Sequence, residues 1–264
     1  MSLLLAKIVI SVCLVLGLSW VAEKVNPRIA GILSGMPLGA VLVLFFVGLD
    51  LGPEFATKSA LYAIPSITST IAFSIGYYFT SRLDTKFAPL LSSVVGIICY
   101  LAIALILNKI DFNLSSGIII TLITLITVGY AFRSQESNKI QKKIKMTFPR
   151  LLFRSGMAAS FVVGITTFAD FVGAQWSGLL IGFPMTFLPF LLIIHITYSG
   201  DQIRTIIRNF PLGLVGLLCF LIIANQTIPI LGVNLAILTS IGGSMIYLTI
   251  LGLVLNRMRP VPAE

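Results

Sequence analysis

Apolar runs of about 20 residues recur along the whole chain, and short segments that carry most of the charged and turn-forming residues separate them. A helix rises about 1.5 Å per residue, so each run is long enough to span a hydrocarbon core of about 30 Å. Only 10% of the residues are charged, whereas soluble domains carry about 25%. We therefore predict an all-α polytopic membrane protein, with the lipid bilayer as its main partner.

Nine apolar runs meet this length requirement. The predicted spans cover residues 3–22, 28–49, 59–80, 88–108, 113–132, 151–171, 176–198, 208–228 and 234–256. With nine spans, all but three of the 18 Lys and Arg residues fall on one side of the membrane, and these three are Lys7, Lys58 and Lys109. Positive residues are retained on the cytoplasmic side, so we predict an outside N-terminus and a cytoplasmic C-terminus. The net charge of +9 is thus a topology signal and predicts no nucleic-acid partner.

The chain contains an internal repeat. When the sequence is shifted by 147 positions, the motif GILSGMP at residues 31–37 falls on GLLIGFP at residues 178–184. Charged positions that keep their sign pair Lys7 with Arg154 and Glu23 with Asp170. The repeat predicts two homologous halves of four spans each, joined by one extra span.

This 4+1+4 arrangement sets the predicted domain boundaries. They are residues 1–110 for the first repeat, 111–132 for the linker span, 133–149 for a basic cytoplasmic loop, 150–258 for the second repeat and 259–264 for a cytoplasmic tail. A single linker span reverses the second half, so the repeats are predicted to be inverted with respect to each other. Inverted repeats are common in transporters and also occur in channels.

Both copies of the repeated motif end in proline, which removes a backbone donor and interrupts a helix. Pro37 and Pro184 lie about ten residues inside their spans, a depth of about 15 Å. Non-helical backbone at mid-depth is tolerated when it lines a polar cavity, and paired Gly/Pro interruptions indicate a transport site. The alternative is that the glycines only let helices pack closely and the prolines only kink them.

The polar residues near these interruptions complete the predicted binding site. Tyr62, Ser66, Thr70 and Ser74 recur every four residues and form one stripe of the third span. The second half differs from the first, because Thr186 replaces Gly39 and His195, the single histidine, replaces Gly48. The predicted substrate-binding residues are Gly35, Pro37, Ser66, Thr70, Gly182, Pro184, Thr186 and His195. For His195, a structural role in packing or hydrogen bonding is the alternative.

Four charges near the ends of spans are candidates for gates. We expect Lys7 and Asp170 near the outer face and Glu23 and Arg154 near the inner face. The sign-preserving match predicts two symmetry-related ion pairs, Lys7–Asp170 and Glu23–Arg154, that close the two sides in turn. The alternative is that each charge separately anchors a helix end to lipid headgroups.

The leading functional prediction is a transporter or permease for a small polar or anionic solute, which works by alternating access. A channel of the same architecture and a non-transporting lipid-binding or membrane-assembly factor are the alternatives. An enzyme is not predicted, because no span carries a nucleophile with a base or a set of ligands, and the three cysteines are scattered singly. We accordingly expect no cofactor and no metal.

Residues 177–209, SGLLIGFPMTFLPFLLIIHITYSGDQIRTIIRN, resemble the GlpM-like small bacterial inner-membrane proteins, which are about one such half long. The resemblance runs through GLLIGFP, Thr186, His195 and the loop with Asp201 and Arg204. It is weaker in the first half. It implies two fused GlpM-like units in a bacterial cytoplasmic membrane, as a monomer or homodimer, and it implies no particular activity.

Overall fold

The computed structural model describes residues 5, 7–13, 16, 37–133, 147–197 and 200–257, and every regular element in these ranges is a helix. Residues 7–13 are helical. The other helices are α1 (Leu38–Leu51), α2 (Pro53–Thr80), α3 (Ala88–Leu107), α4 (Leu114–Arg133), α5 (Phe148–Ile181), α6 (Phe187–Thr197) and α7 (Gly200–Arg257). Most of the predicted basic loop lies outside the described residues.

Five of these helices are long and apolar enough to cross a membrane, namely α2, α3, α4, α5 and α7, and α1 and α6 are shorter apolar helices. The predicted all-α membrane class is therefore confirmed. The predicted count of nine helices is not, because the described ranges contain eight helical segments. Two pairs of predicted spans run together through a glycine, at Gly173 in α5 and Gly232 in α7. The predicted span 176–198 is in turn divided between α5 and α6, so nine predicted spans give eight helical segments.

Three glycines adopt one unusual backbone conformation. Gly52, between α1 and α2, has φ 90° and ψ 170°, Gly173 has φ 80° and ψ 166°, and Gly232 has φ 72° and ψ 169°. This region of positive φ and extended ψ is open essentially to glycine alone. These positions therefore allow the chain to turn sharply without a loop.

Contacts on both sides of Gly232 show that α7 folds back on itself. The Tyr247 hydroxyl donates to the Leu212 carbonyl at 3.1 Å, and Gly243 lies against the side chain of Ile223. In each pair the two residues lie on opposite sides of Gly232 in the sequence, and the pair nearer to Gly232 in sequence lies inside the other, as in an antiparallel pair of helices. The segments before and after Gly232 therefore pack side by side.

Helix α2 is the centre of the fold and packs against α3, α4, α5 and α7. Its inward residues are unusually small and polar for a central span: Ser59, Ser66, Ser69, Thr70 and Ser74 are all buried. Small and hydroxyl-bearing residues let helix backbones approach closely where no water drives association. By contrast, α4 exposes large apolar side chains such as Ile123 and Ile126, as a lipid-facing span would.

The segment from 174 to 197 runs parallel to α2. Contacts along the two elements follow the same order, from Ser59 with Gly178, through Ser66 with Gly182, to Tyr77 with His195. Helix α4 follows α2 in the same sense, with Thr124 near Thr68 and Phe132 near Tyr78. The segment 174–197 and α4 therefore both run parallel to α2.

Candidate binding site at the helix interruptions

The helix of the second half is interrupted at the predicted proline. Helix α5 ends at Ile181 and α6 begins at Phe187, so Pro184 lies in the middle of a non-helical stretch. The Phe183 amide turns back to the Leu180 carbonyl at 3.0 Å, and the Leu188 amide bonds to the Pro184 carbonyl at 2.8 Å. Pro184 has no N–H to continue the helical ladder, which favours the interruption. It is not sufficient by itself, because other helices continue through Pro65 and Pro211.

In the first half, helix α1 begins directly after Pro37. The Val41 amide donates to the Pro37 carbonyl at 2.7 Å, which closes the first turn. Pro37 thus precedes a helix start, as Pro184 does. Gly35 and the rest of GILSGMP before Pro37 lie outside the described residues, so the role predicted for Gly35 stays a prediction.

Carbonyl groups of the interrupted segment receive hydrogen bonds from three neighbouring helices. These bonds run from the Tyr100 hydroxyl to Leu179 O, from Thr70 Oγ1 to Gly182 O at 2.5 Å and from Arg154 Nε to Thr186 O at 3.3 Å. In hydrocarbon no water would serve these groups, so the protein must supply the donors. The interruption is therefore held inside the bundle by α2, α3 and α5.

A pocket lies where the two helix starts meet. Its cavity volume is about 30 Å³, room for about two water molecules. The lining residues come from both halves: Pro37, Gly39 and Ala40 of the first, Thr70 of α2, residues 181–187 of the second half, and Phe210, Leu214 and Leu217 of α7. Five predicted site residues thus line one pocket, namely Pro37, Thr70, Gly182, Pro184 and Thr186.

The pocket is mostly apolar with few polar groups. Thr186 is 7% exposed, and among the described residues its hydroxyl has no hydrogen-bond partner. Thr70 also lines the pocket, but its hydroxyl is engaged by the Gly182 carbonyl. The Arg154 guanidinium lies behind Thr186 and stacks over the Phe190 ring, 4.9 Å from its centroid. The polar character of the pocket therefore comes mainly from hydrogen-bond donors and one nearby cation.

The glycines of GLLIGFP also serve helix packing. A β-carbon at Gly178 would lie 2.7 Å from the Tyr62 β-carbon, and one at Gly182 would lie 2.7 Å from the Ser66 β-carbon. Both distances are shorter than side-chain atoms tolerate. The close-packing role set out as the alternative for these glycines therefore applies to both, and at Gly182 it coexists with a place in the pocket lining.

Ser66, another of the predicted site residues, is not among the residues that line this pocket. Its hydroxyl donates to the Ala63 carbonyl at 2.6 Å, and its side chain packs behind Gly182. The polar stripe on α2 faces the interrupted segment. Thr70 of this stripe lines the pocket, whereas Ser66 packs against the backbone of Gly182. Helical spacing identified the face but not which residue on it reaches the cavity.

His195 is likewise absent from the pocket lining. It lies eight residues beyond Phe187, about 12 Å along α6. Its Nδ1 is 3.2 Å from the Tyr77 hydroxyl, and the two ring centroids are 5.7 Å apart. His195 and Tyr77 thus form a polar contact between α2 and α6, and the substrate-binding role of His195 stays a prediction.

The cation of the first half has a different partner from the predicted one. Lys7 Nζ lies 2.5 Å from Asp50 Oδ2 and 5.8 Å from the centroid of the Phe46 ring, whereas Asp170 is exposed. The Lys7–Asp170 pair is therefore not formed in this conformation, because the N-terminal helical segment packs along α1. Glu23 lies outside the described residues, so the Glu23–Arg154 pair stays a prediction.

Some residues of the site escaped the sequence analysis. Tyr100 was one more aromatic residue in an apolar run, although a tyrosine hydroxyl deep in a span must find an acceptor and was a usable signal. Phe210 stacks on Phe187 with the ring centroids 3.7 Å apart, and nothing in its sequence neighbourhood pointed to the pocket. Among the described residues, no three His, Cys, Asp or Glu side chains form a group that could hold a metal ion.

Comparison with protein-family models, with curated proteins and with solved structures finds no match to this chain.

Proposed function

We propose that the protein is a membrane carrier that moves a small polar or anionic solute by alternating access at this pocket. The observation that carries the proposal is the pocket itself, where a proline-preceded helix start from each half meets the other inside the bundle. Paired interruptions at one buried point are typical of transporter binding sites. They serve no purpose in a bundle that only anchors itself in lipid.

The direction of packing supports inverted repeats. Consecutive spans of one half alternate in direction, so the third span of the first half would run antiparallel to the second span of the other half if both halves were inserted alike. Instead, α2 runs parallel to the segment 174–197, as the order of its contacts shows. A second half inverted with respect to the first accounts for this, and exchange of the two conformations is then a route to alternating access.

The reversal at Gly232 and the equivalent conformation at Gly173 support the nine-span arrangement. If α5 and α7 each count as two spans, the spans on either side of these glycines alternate. Residues predicted on one side of the membrane then meet each other: the Gln175 amide donates to the Asn108 carbonyl at 2.7 Å, and Tyr77 meets His195. The first contact lies on the predicted outer side and the second on the inner.

The size of the pocket favours a carrier over a channel. A cavity that holds about two waters admits a larger solute only if helices move. Movement of this kind is obligatory in a carrier and unnecessary in an open pore. Helix α6, which contacts α3, α5 and α7 and follows an interruption, is placed to move relative to α5.

We further propose that the chain lies in a bacterial cytoplasmic membrane with its N-terminus outside and its C-terminus in the cytoplasm. The orientation rests on the distribution of Lys and Arg between the two faces. The bacterial membrane and the two fused GlpM-like units rest on the resemblance of residues 177–209 alone.

The test is transport by purified protein in liposomes, with a broad panel of small polar and anionic solutes. A carrier gives uptake that saturates with solute concentration and is accelerated by unlabelled solute on the opposite side. We expect Thr70→Val to reduce this uptake at least fivefold, because it removes the hydroxyl that donates to Gly182 O. The matched control is Thr127→Val, whose hydroxyl makes only a local bond on an exposed face.

Three results would overturn the proposal. Flux that rises linearly with concentration and shows no counterflow indicates a channel. Lipid movement between leaflets without solute flux indicates a lipid-handling protein. Equal effects of Thr70→Val and Thr127→Val would show that the pocket is not the transport site.

A further inference from the structure

The described lining of the pocket offers hydrogen-bond donors and no carboxylate. Among the described residues it contains two that bear hydroxyl groups, Thr70 and Thr186, and otherwise apolar side chains and backbone, with no Asp or Glu. A site for a cation needs carboxylate or several carbonyl oxygens. Here the Gly182 carbonyl is already engaged by Thr70 and the Thr186 carbonyl by Arg154.

Thr186 provides the most specific indication of a ligand. Its side chain is more than nine-tenths buried and lines the cavity, yet its hydroxyl has no hydrogen-bond partner among the described residues. A polar ligand or an ordered water in the cavity would give this hydroxyl the partner that polar groups inside proteins normally have.

The start of α1 adds further donors on the opposite wall. Gly39 and Ala40 both line the pocket and belong to the first turn, where amides have no acceptor within the helix. Among the described backbone groups, neither amide is hydrogen-bonded. The positive end of the α1 dipole therefore faces the same small volume as the Thr186 hydroxyl.

Size narrows the ligand. The cavity of about 30 Å³ holds only a few atoms. The Thr186 hydroxyl and the first-turn amides of α1 are hydrogen-bond donors, and an anion can accept from all of them. A small anion therefore satisfies these donors and fits the space.

We propose that this pocket binds a small monovalent anion of the size of chloride or formate, held by the Thr186 hydroxyl and the first-turn amides of α1. The inference rests on the proposed transport site and narrows its ligand. Binding and flux are separate measurements, so each can fail without the other.

Binding is tested by thermal unfolding of the purified full-length protein in sodium chloride, bromide or formate, with sodium gluconate holding the ionic strength constant. Gluconate is too large for the cavity. An anion that binds only the folded state raises the unfolding midpoint, and above its dissociation constant the rise grows with the logarithm of the anion concentration. We expect chloride or formate to do so and Thr186→Val to weaken the apparent affinity about tenfold, since a hydrogen bond to a charged group is lost.

The variants are chosen so that folding does not obscure the result. Thr186→Val keeps the backbone carbonyl that holds Arg154 and the branched shape of the side chain, and Thr186→Ser keeps the hydroxyl and should retain binding. Gly39→Ala narrows the cavity from the other wall, where Met185 lies 3.1 Å from the added carbon, and should also weaken binding. Thr167→Val, on the exposed face of α5, is the matched control.

The outcomes separate this inference from the proposed function. If no small anion raises the midpoint above gluconate, or if Thr186→Val and Thr167→Val give the same curve, the anion site is wrong, even if the liposomes transport a neutral solute. If anions bind in a Thr186-dependent way and no solute is transported, the site stands and the carrier proposal fails.

Discussion

The two halves of the chain place equivalent cations of the repeat in different surroundings. In the first half, Lys7 pairs with Asp50, about 18 Å along α1 from the pocket. In the second half, Arg154 donates to the Thr186 carbonyl, directly beside the pocket. The repeat position that corresponds to Asp50 is Thr197, which carries no charge. The equivalent cations of the two halves therefore lie at different distances from the pocket.

The residues that face the pocket differ in the same way. Gly39 in the first half corresponds to Thr186 in the second. The space that a side chain at Gly39 would fill is occupied by Met185 from the other half. Both halves therefore keep a proline before a helix start, but the side chains that they place at the pocket differ. The hydroxyl of Thr186 comes from the second half, and the first half has only Gly39 at the equivalent position.

The largest expected effect concerns the glycines on the two walls of the pocket. Gly182→Ala places a carbon against the Ser66 side chain and 3.2 Å from its backbone carbon, and we expect a loss of about 3 kcal/mol of stability. Gly39→Ala meets only the flexible end of Met185, at 3.1 Å, and should cost less than about 1 kcal/mol. The measurement is reversible denaturation in detergent micelles. The control is Gly164→Ala, which adds a carbon into open space, and equal stability of Gly182→Ala and Gly164→Ala would contradict the packing described here.

The second largest effect is expected at the connection between the third and fourth spans, which differs between the two halves. The first half uses residues 81–87 between α2 and α3, whereas the second half turns at Gly232 alone, with φ 72°. Gly232→Ala forces a side chain into this region and should destabilise the protein by about 2 kcal/mol. Gly252→Ala, in open space within the same helix, should be close to neutral under the same denaturation assay. A neutral Gly232→Ala would argue against the sharp reversal of α7.

The ion pair of the first half gives a smaller, more selective effect. A double-mutant cycle of Lys7→Met and Asp50→Asn should yield a coupling energy of about 1 kcal/mol, because the pair is largely buried and close. The same cycle with Asp170→Asn should yield a coupling near zero, since Asp170 is exposed. Coupling to Asp170 in place of Asp50 would restore the originally predicted outer gate.

The smallest expected effect is at the far end of α6. Tyr77→Phe removes the hydroxyl near His195 Nδ1 and should cost about 0.5–1 kcal/mol of stability, with little change in transport. The first half has no counterpart, because Gly48 replaces the histidine. A loss of transport as large as that of Thr70→Val would instead make the Tyr77–His195 contact part of the transport site. Tyr130→Phe, on the exposed face of α4, is the control.

Where sequence analysis succeeded, the controlling physics was local. The length of the apolar runs predicted membrane-spanning helices because span length is set by the rise per residue and the bilayer thickness. The interruption at Pro184 was predicted from a proline that lacks a backbone donor and recurs in both copies of the repeated motif. Pro65 and Pro211 lack the same donor and lie inside helices, so proline alone does not decide where a span breaks. The internal repeat predicted that Pro37 and Pro184 lie at equivalent positions of one site, and both residues line the same pocket.

The sequence by itself therefore determined that this is a helical membrane protein with a broken span at a known position, since both properties depend on a few neighbouring residues. Only the tertiary structure decided that Lys7 pairs with Asp50 and that Thr70, rather than Ser66, lines the cavity. It also decided that the Tyr100 hydroxyl donates to the Leu179 carbonyl near the end of α5. These choices depend on which faces of distant helices come together. Helical spacing predicts which residues share one face of a helix. Which of them contacts the neighbouring helix or the cavity depends on how the two helices cross.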